Sequence, residues 1–191
     1  MWNYFGDYNI KSTFIDIDDK VLDEISICIT NLYEQLPKKD ASQKITPNSF
    51  NFGFERSVEK HSSILHLEKK ITEKFSEEVL FKVHWSKIYK RGQTLPVHNH
   101  ATTGVTPNEF AFVFYVDAPE GSGQLVFPDL GVEITPKEKM FVMFDNSYNH
   151  EVLPSTCEER IITSGNIKVG NIAGTIPTNK FYILENYNEM D

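Results

Sequence analysis

The stretch Gly92-Gln-Thr-Leu-Pro-Val-His98-Asn-His100 holds two histidines two residues apart, directly after a mainly apolar run at residues 80–88. In an extended segment, side chains alternate between two faces, so His98 and His100 point the same way. A third histidine, His150, follows a later run that is typical of a strand. Because the second half of the chain is strongly β-type, these histidines predict a metal site inside a barrel.

Short strands and tight turns make up the chain from residue 80 onward. Turn residues such as Pro, Gly, Asn and Asp separate segments that are rich in β-branched and aromatic side chains. The segments predicted to be strands are residues 80–89, 110–116, 124–127, 132–134, 140–144, 151–153 and 160–169. Six or seven short strands with tight turns favour a jelly-roll barrel, with mainly β structure and some α-helix.

The beginning of the chain predicts a strand followed by a helix. Residues 12–17 are short and β-branched or aromatic, and Asp18 or Asp19 then offers an N-cap. Pro37 is expected to stop the helix. The apolar residues that recur at helical spacing are Val21, Ile25, Ile29, Leu32 and Leu36.

A second helix is predicted over residues 58–79, after a loop at residues 38–57. Its apolar stripe consists of Ile64, Leu67, Ile71 and Phe75. We expect both helices to pack against the outside of one sheet. Residues 1–79 would then be a helical support for a jelly-roll core at residues 80–170, within a single domain of residues 1–191.

Composition narrows the class of protein. The chain has 191 residues, 40% of them hydrophobic, and no apolar run approaches the roughly 20 residues of a membrane helix. The net charge of −8 argues against nucleic acid and anionic membranes as partners. Cys28 and Cys157 are too few for a disulfide framework, and the first residues lack the basic and apolar regions typical of a signal peptide. We therefore expect a cytoplasmic protein.

The three histidines predict a metal centre with open coordination positions. A non-haem Fe(II) site needs three ligands on one face, which leaves room for O₂ and a substrate or co-substrate. Imidazole also suits zinc, copper and nickel, so the ligand type does not identify the metal. A jelly roll folds His98, His100 and His150 onto neighbouring strands, which makes their separation in sequence compatible with one site.

Arg160 indicates an anionic co-substrate. It follows His150 by ten residues and opens a strand-like run, and an unpaired buried guanidinium is costly. A dicarboxylate that chelates the metal at one end would pair its far carboxylate with this guanidinium. Tyr89, upstream of the histidine pair, offers a hydroxyl donor to the same group.

Several motifs resemble, in their order, the Fe(II)/2-oxoglutarate-dependent oxygenases. They are Trp85-x-x-x-Tyr89-x-x-Gly92-x-x-x-x-x-His98-x-His100, Phe112-Val-Phe-Tyr115-Val, Gly123-Gln-Leu-Val-Phe127, Pro136-x-x-x-x-Phe141-Val-Met-Phe144, His150-x-Val152-x-Pro154 and Arg160-Ile-Ile. The chain is most similar to a small branch of that superfamily related to prolyl 4-hydroxylases. The resemblance implies a double-stranded β-helix, with His98 and His150 as iron ligands. It also implies that Arg160, helped by Tyr89, binds the C5 carboxylate of 2-oxoglutarate.

The position of His100 departs from the usual pattern. Most such enzymes carry Asp or Glu two residues after the first histidine, although the branch resembled here also tends to carry His-x-His. His100 is our preferred third ligand, and Glu109 or Asp145 is the alternative source of a carboxylate.

The resemblance implies a hydroxylase that uses Fe(II), 2-oxoglutarate and O₂, releases succinate and CO₂, and acts on a small-molecule or peptidyl substrate. One alternative is a cupin-type dioxygenase with three histidines, which shares the jelly roll. The chain lacks the glutamate that cupins place after the second histidine, since Gly104 and Val105 stand there. A non-catalytic jelly-roll binding module is the third possibility. The loops at residues 38–57 and 101–109 are expected to determine the substrate.

Overall fold

The computed structural model describes residues 1–34, 56–57, 61–101 and 108–170. Within these residues the helices are α1 (Asp19–Glu34) and α2 (Ser62–Thr72). The strands are β1 (Asn3–Tyr4), β2 (Ile10–Phe14), β3 (Arg56–Ser57), β4 (Val79–Lys90), β5 (Leu95–His98), β6 (Glu109–Asp117), β7 (Leu125–Phe127), β8 (Val132–Ile134), β9 (Met140–Asp145), β10 (His150–Val152) and β11 (Glu159–Val169). A 3-10 turn at Pro128–Leu130 joins β7 to β8.

The strands form two antiparallel sheets. The larger sheet has the order β1-β2-β9-β6-β11-β4-β3, and the smaller has the order β5-β10-β7-β8. The sequence neighbours β5 and β6 lie in different sheets, as do β8 and β9, so the chain crosses repeatedly from one sheet to the other. This arrangement is the double-stranded β-helix, and the predicted fold class is confirmed.

The larger sheet separates two apolar cores. The outer cluster lies between its outer face and the two helices; it includes Ile25, Ile29, Ile64, Leu67, Ile71, Phe112, Phe114 and Phe141. The inner cluster lies between the two sheets; it includes Tyr89, Val113, Tyr115, Leu125, Phe127, Ile134, Val142 and Phe144. Alternate residues of one strand enter different clusters, because side chains alternate along a strand. The prediction that the helices pack on the outside of one sheet is therefore confirmed.

Local signals set most element boundaries where they were expected. The Asp18 carboxylate accepts a hydrogen bond from the Lys20 N–H at 2.9 Å, so Asp18 caps α1. Leu22, Ile25 and Ile29 are the buried residues of α1, whereas Val21 is only half-buried. The predicted strands from residue 80 onward each match an observed strand to within two residues.

Two boundaries were predicted wrongly. The second helix spans Ser62–Thr72 rather than 58–79, because Glu73, Lys74 and Phe75 close single turns onto the last helical carbonyls. Phe75 still packs beside Trp2, with ring centroids 5.3 Å apart, which explains why it continued the apolar stripe. The first strand lies at Ile10–Phe14 rather than 12–17, since its register is set by pairing with β9.

The predicted loop at 38–57 is corrected at its end, where Arg56 and Ser57 pair with Ser86 and Trp85 of β4. The helix stop at Pro37, the rest of that loop and the segment 102–107 lie outside the described residues.

Candidate metal centre

His98 and His150 face each other across the smaller sheet. His98 is the last residue of β5 and His150 is the first of β10, and the antiparallel register of these strands pairs them directly. Their ring centroids lie 4.2 Å apart. Two histidines separated by 52 positions in sequence thus become cross-strand neighbours.

His100 completes the group from the segment that follows β5. Its ring centroid lies 5.5 Å from that of His98 and 5.1 Å from that of His150. One nitrogen from each of the three rings falls within 4.8 Å of the others, which is the spacing of a three-histidine metal site. The backbone fixes this position, because the His100 N–H donates to the Asn146 carbonyl at 2.8 Å.

Each ring is held through its Nδ1 atom. The acceptors are the Pro96 carbonyl for His98, the Tyr148 carbonyl for His150 and the Asn166 side-chain oxygen for His100, each at 2.9 Å. A carbonyl oxygen only accepts, so Nδ1 carries the proton and Nε2 is the unprotonated nitrogen in all three rings. This tautomer, fixed by an oxygen behind the ring, is what metal-binding histidines require.

The surroundings keep the imidazoles of His100 and His150 neutral. Burial, followed by the neighbouring His98 and His100, lowers the pKa of His150 to about 3. Burial also lowers the pKa of His100, and the hydrogen bond that this ring donates to Asn166 acts in the opposite direction. Phe144 packs edge-on against the His150 ring with centroids 4.6 Å apart. A neutral imidazole in an apolar wall is ready to bind a cation without first losing a proton.

The two alternative carboxylates lie in other interactions. Glu109 pairs with Lys82. Asp145 accepts hydrogen bonds from the Ser147 N–H at 3.0 Å and from its hydroxyl at 2.7 Å. Across the described part of the chain, the group of candidate metal ligands consists of histidines alone. Neither carboxylate joins this group, so that alternative finds no support.

Arg160 lies on the inner face of the larger sheet, opposite Tyr89. The two residues are register partners on β11 and β4, and Arg160 is only 1% exposed. Its Cζ atom lies 4.1 Å from the centroid of the Tyr89 ring, and its Nη1 donates to the Gly123 carbonyl at 2.6 Å. Only glycine fits at position 123, since a Cβ there would lie 1.7 Å from the Leu153 carbonyl oxygen. The prediction that Arg160 enters the barrel agrees with this position.

Tyr115 and Lys87 are two further residues of the inner face that were not among the predicted site residues. Tyr115 lies in the inner cluster, where burial raises its pKa to about 12 and Arg160 acts in the opposite direction. Lys87 is 2% exposed, and its Nζ lies 5.0 Å from the centroid of the Tyr89 ring. The sequence did contain a signal for the position of Lys87. It lies two residues before Tyr89, and alternate residues of a strand share a face.

The fold and the three histidines define the class: a jelly-roll protein with a non-haem metal centre. Residues 84–168 match the family model described as the 2OG-Fe(II) oxygenase superfamily. No curated protein shows a significant sequence match to the chain. The barrel thus matches the model of the 2OG-Fe(II) oxygenase superfamily, and the resemblance found in the motifs is confirmed. The protein is an enzyme of this kind, with Fe(II), 2-oxoglutarate and O₂ as its cofactor and co-substrates.

Solved structures with the same fold include several prolyl hydroxylases. The viral collagen prolyl hydroxylase of Paramecium Bursaria Chlorella virus-1, a 2-oxoglutarate complex, is 21% identical, with a TM-score of 0.62 over 85% of this chain and 97% of that one. A Pseudomonas putida prolyl-4-hydroxylase is 16% identical, with a TM-score of 0.57 over 85% and 93%. The Trichoplax adhaerens prolyl hydroxylase bound to a hypoxia-inducible-factor peptide fragment is 13% identical, with a TM-score of 0.63 over 86% and 84%.

The described helices include none with the length and apolar character needed to cross a membrane.

Proposed function

We propose that this enzyme is a C–H hydroxylase whose Fe(II) is held by His98, His100 and His150. Three Nε2 atoms of neutral imidazoles suit Fe(II), and the remaining coordination positions accommodate 2-oxoglutarate and O₂. When bound, Fe(II) and 2-oxoglutarate supply the oxidation, in which release of succinate and CO₂ accompanies insertion of an oxygen atom into a C–H bond.

Arg160 is the observation that carries this proposal. A guanidinium that is 1% exposed needs a negative charge, yet among the described residues its hydrogen bond goes to a neutral carbonyl and no carboxylate forms an ion pair with it. The C5 carboxylate of 2-oxoglutarate supplies that charge, and the Tyr89 hydroxyl would donate to the same group. A three-histidine site that used no 2-oxoglutarate would leave Arg160 without a reason to be buried.

The other residues of the site orient and shield the reaction. The Nδ1 contacts fix the three rings, so no reorganisation is needed when the metal binds. Phe127 and Phe144 contact the His150 ring with centroids 6.0 and 4.6 Å away, and Trp85 lies 5.7 Å from the His100 ring. These aromatic side chains exclude water from one side of the centre and strengthen the electrostatic interactions within it.

We infer that the substrate is a small molecule or a peptide, met in the cytoplasm by a single domain of residues 1–191. The prolyl hydroxylase named above with a bound peptide fragment supports the peptide class. The net charge of −8 disfavours nucleic acid.

Anaerobic titration of the Fe(II)-loaded protein with 2-oxoglutarate tests the proposal. The chelate of Fe(II) with a 2-oxoacid gives a weak visible charge-transfer band, which we expect in the wild type and not in His150→Ala. Arg160→Met should weaken 2-oxoglutarate binding by about tenfold to a hundredfold, the value of a charge-assisted contact, while iron binding is retained. His66→Ala on the exposed face of α2 and Arg91→Met on the surface are the matched controls.

A cupin-type dioxygenase with three histidines is the second candidate, because the described ligand group contains no carboxylate. This candidate predicts that the wild type binds Fe(II) and is well folded but gives no band with 2-oxoglutarate. That result would overturn the proposed use of 2-oxoglutarate.

A further inference from the structure

Three polar side chains form a hydrogen-bond network beside the metal centre. The Asn99 Nδ2 donates to the Asn149 Oδ1 at 2.9 Å, and the Asn149 Nδ2 donates to the Asp129 carboxylate at 2.8 Å. Asn99 stands between the two histidines of the first segment, and Asn149 directly precedes His150. We call Asn99, Asn149 and Asp129 the outer network.

The outer network crosses three neighbouring strands of the smaller sheet. Asn99 follows β5, Asn149 precedes β10, and Asp129 lies in the 3-10 turn after β7, while the strand order is β5-β10-β7. The backbone pairing of β5 with β10 ends at His98 and His150. The side chains of the network therefore continue the connection between these strands beyond the point where the backbone ladder ends.

The backbone ladder between β5 and β10 is short and irregular. Its two register pairs are His98 with His150 and Leu95 with Val152, so the register shifts by one residue between them. A shift of this kind disrupts the ladder locally and leaves the separation of the strands less firmly fixed. Side-chain hydrogen bonds at this end consequently contribute more to the position of the two rings than they would beside a regular ladder.

The chemistry of the three side chains sets the direction of each bond. A carboxylate only accepts, so Asn149 turns its Nδ2 towards Asp129 and its Oδ1 towards Asn99. Asn99 then donates through its Nδ2, and its Oδ1 accepts from the Ala101 N–H at 3.2 Å. This last contact closes a turn around His100, so the network also reaches the backbone of the third histidine.

The outer network lies towards the solvent rather than in the metal centre. Asn99 and Asp129 are exposed and Asn149 is half-buried, whereas His150 is only 4% exposed. Any influence of the network on a bound metal ion must therefore act through the histidines, by way of the two segments that carry them.

We propose that the three residues of the outer network are positioning residues, which set the separation of the two segments that carry the metal ligands. This inference rests on the proposed function, since it takes His98, His100 and His150 as the ligands. Asp129 orients the side chain of Asn149, which joins the two segments. A metal ion binds most tightly where the spacing of the ligand nitrogens is fixed beforehand, so loss of the network lowers metal affinity and alters the ligand field.

Titration of the metal-free protein with Co(II), which replaces Fe(II) and has visible ligand-field bands, tests the proposal. Asn149→Ala removes both hydrogen bonds between the side chains of the network. We expect it to raise the Kd of Co(II) by about threefold to tenfold, and to shift the visible bands because the rings move apart. A role in stability alone would lower the unfolding temperature of the metal-free protein and leave the Kd and the bands unchanged.

Two variants at Asp129 separate the hydrogen bond from the charge. Asp129→Ala and Asp129→Asn remove the same negative charge, but only Asp129→Asn keeps an oxygen that accepts from Asn149. Because an exposed charge is screened by salt, we expect Asp129→Asn to retain the Co(II) affinity to within about twofold, together with the wild-type bands. Asp129→Ala should approach Asn149→Ala in both properties. Equal losses in the two Asp129 variants would attribute the effect to charge and overturn the positioning role.

The matched control is Asn3→Ala, which makes the same change as Asn149→Ala on an exposed residue of β1, the edge strand of the larger sheet. Its Kd for Co(II) and its bands should equal those of the wild type. Thermal unfolding shows that each variant is folded. Asp129 is exposed, so its variants decide the question should Asn149→Ala fail to fold.

The failure of this inference and that of the proposed function give different results. An unchanged Kd and unchanged bands in folded Asn149→Ala overturn the role of the outer network and leave the proposed function in place. Failure of the wild type to bind Co(II), or equal binding by His150→Ala, overturns the proposed function, and the role of the outer network with it.

Discussion

The two faces of strand β4 differ in what their polar residues do. On the outer face, His84 donates its Nδ1–H to the Glu68 carboxylate of α2 at 2.7 Å, and its ring stacks on Phe81 with centroids 5.8 Å apart. On the inner face, Lys87 and Tyr89 lie beside Arg160. One strand thus packs against a helix on one side and presents polar side chains to the interior of the barrel on the other.

The histidines outside and inside the barrel differ in the same way. His84 is paired through Nδ1 with a carboxylate from a neighbouring helix. The three inner histidines donate their Nδ1–H groups to oxygen atoms. One nitrogen of each ring lies close to those of the other two, and among the described residues no carboxylate joins this group. Burial alone therefore does not identify a metal-binding histidine. The feature that does is a group of histidines whose unprotonated nitrogens lie close together.

The largest expected effect is a loss of stability without a loss of iron binding. Phe112 lies in the outer cluster, 1% exposed, and packs with Phe81 and Phe141 at centroid distances of 5.5 and 5.6 Å. Phe112→Ala should lower the free energy of unfolding by about 3–5 kcal/mol, because it leaves a cavity in a close-packed core. Denaturant unfolding measures this, and the iron affinity of the folded variant should equal that of the wild type. A loss of iron affinity would show that the two faces are coupled.

A smaller effect, on iron affinity, is expected from Asn166, which holds the ring of His100. Asn166→Ala removes the oxygen that holds the His100 Nδ1–H and should weaken Fe(II) binding by about tenfold, or ~1.4 kcal/mol. Asn166→Asp keeps an acceptor there and should restore the affinity. Ser164→Ala, two residues away on the same face of β11, serves as the control. Equal iron affinity in Asn166→Ala and the wild type would remove His100 from the ligand set.

The smallest expected effect is a loss of stability at low pH in the metal-free protein. The pKa of His150 falls from 6.5 to about 3 on folding, so below 6.5 the unfolded chain takes up a proton that the folded chain excludes. Stability is therefore full above 6.5 and is lost as the pH falls, by about 1 kcal/mol between pH ~7 and ~5.5 from this residue. Chemical denaturation at both pH values measures the loss. His150→Gln should reduce it, whereas His66→Gln should not; an equal loss in all three proteins contradicts this origin.

Much of the barrel could be predicted from the chain because its signals are local. Turn residues bound the short strands, and alternation places His98 and His100 on one face whatever the rest of the fold does. The ends of the second helix were missed because Phe75 packs against Trp2 from a turn, and spacing alone cannot distinguish a turn from a further helical residue.

The burial of Lys87 was not predicted, for a similar reason. A lysine in a strand is usually solvated, and only the arrangement of the sheets shows that this face is the inside of a barrel. Asn166 was also missed, since it meets His100 across 66 positions in sequence. Neither contact produces a recognisable pattern in the neighbouring sequence.

The amino-acid sequence by itself determined the class of fold, the three histidines and the arginine, because alternation, turn chemistry and ordered motifs act over short distances along the chain. Only the tertiary structure decided that the histidines converge, which oxygen atom fixes each ring and that Lys87 joins Arg160 on one tyrosine ring. These contacts depend on strand register between β4, β5, β10 and β11, and register is set by the packing of the whole barrel.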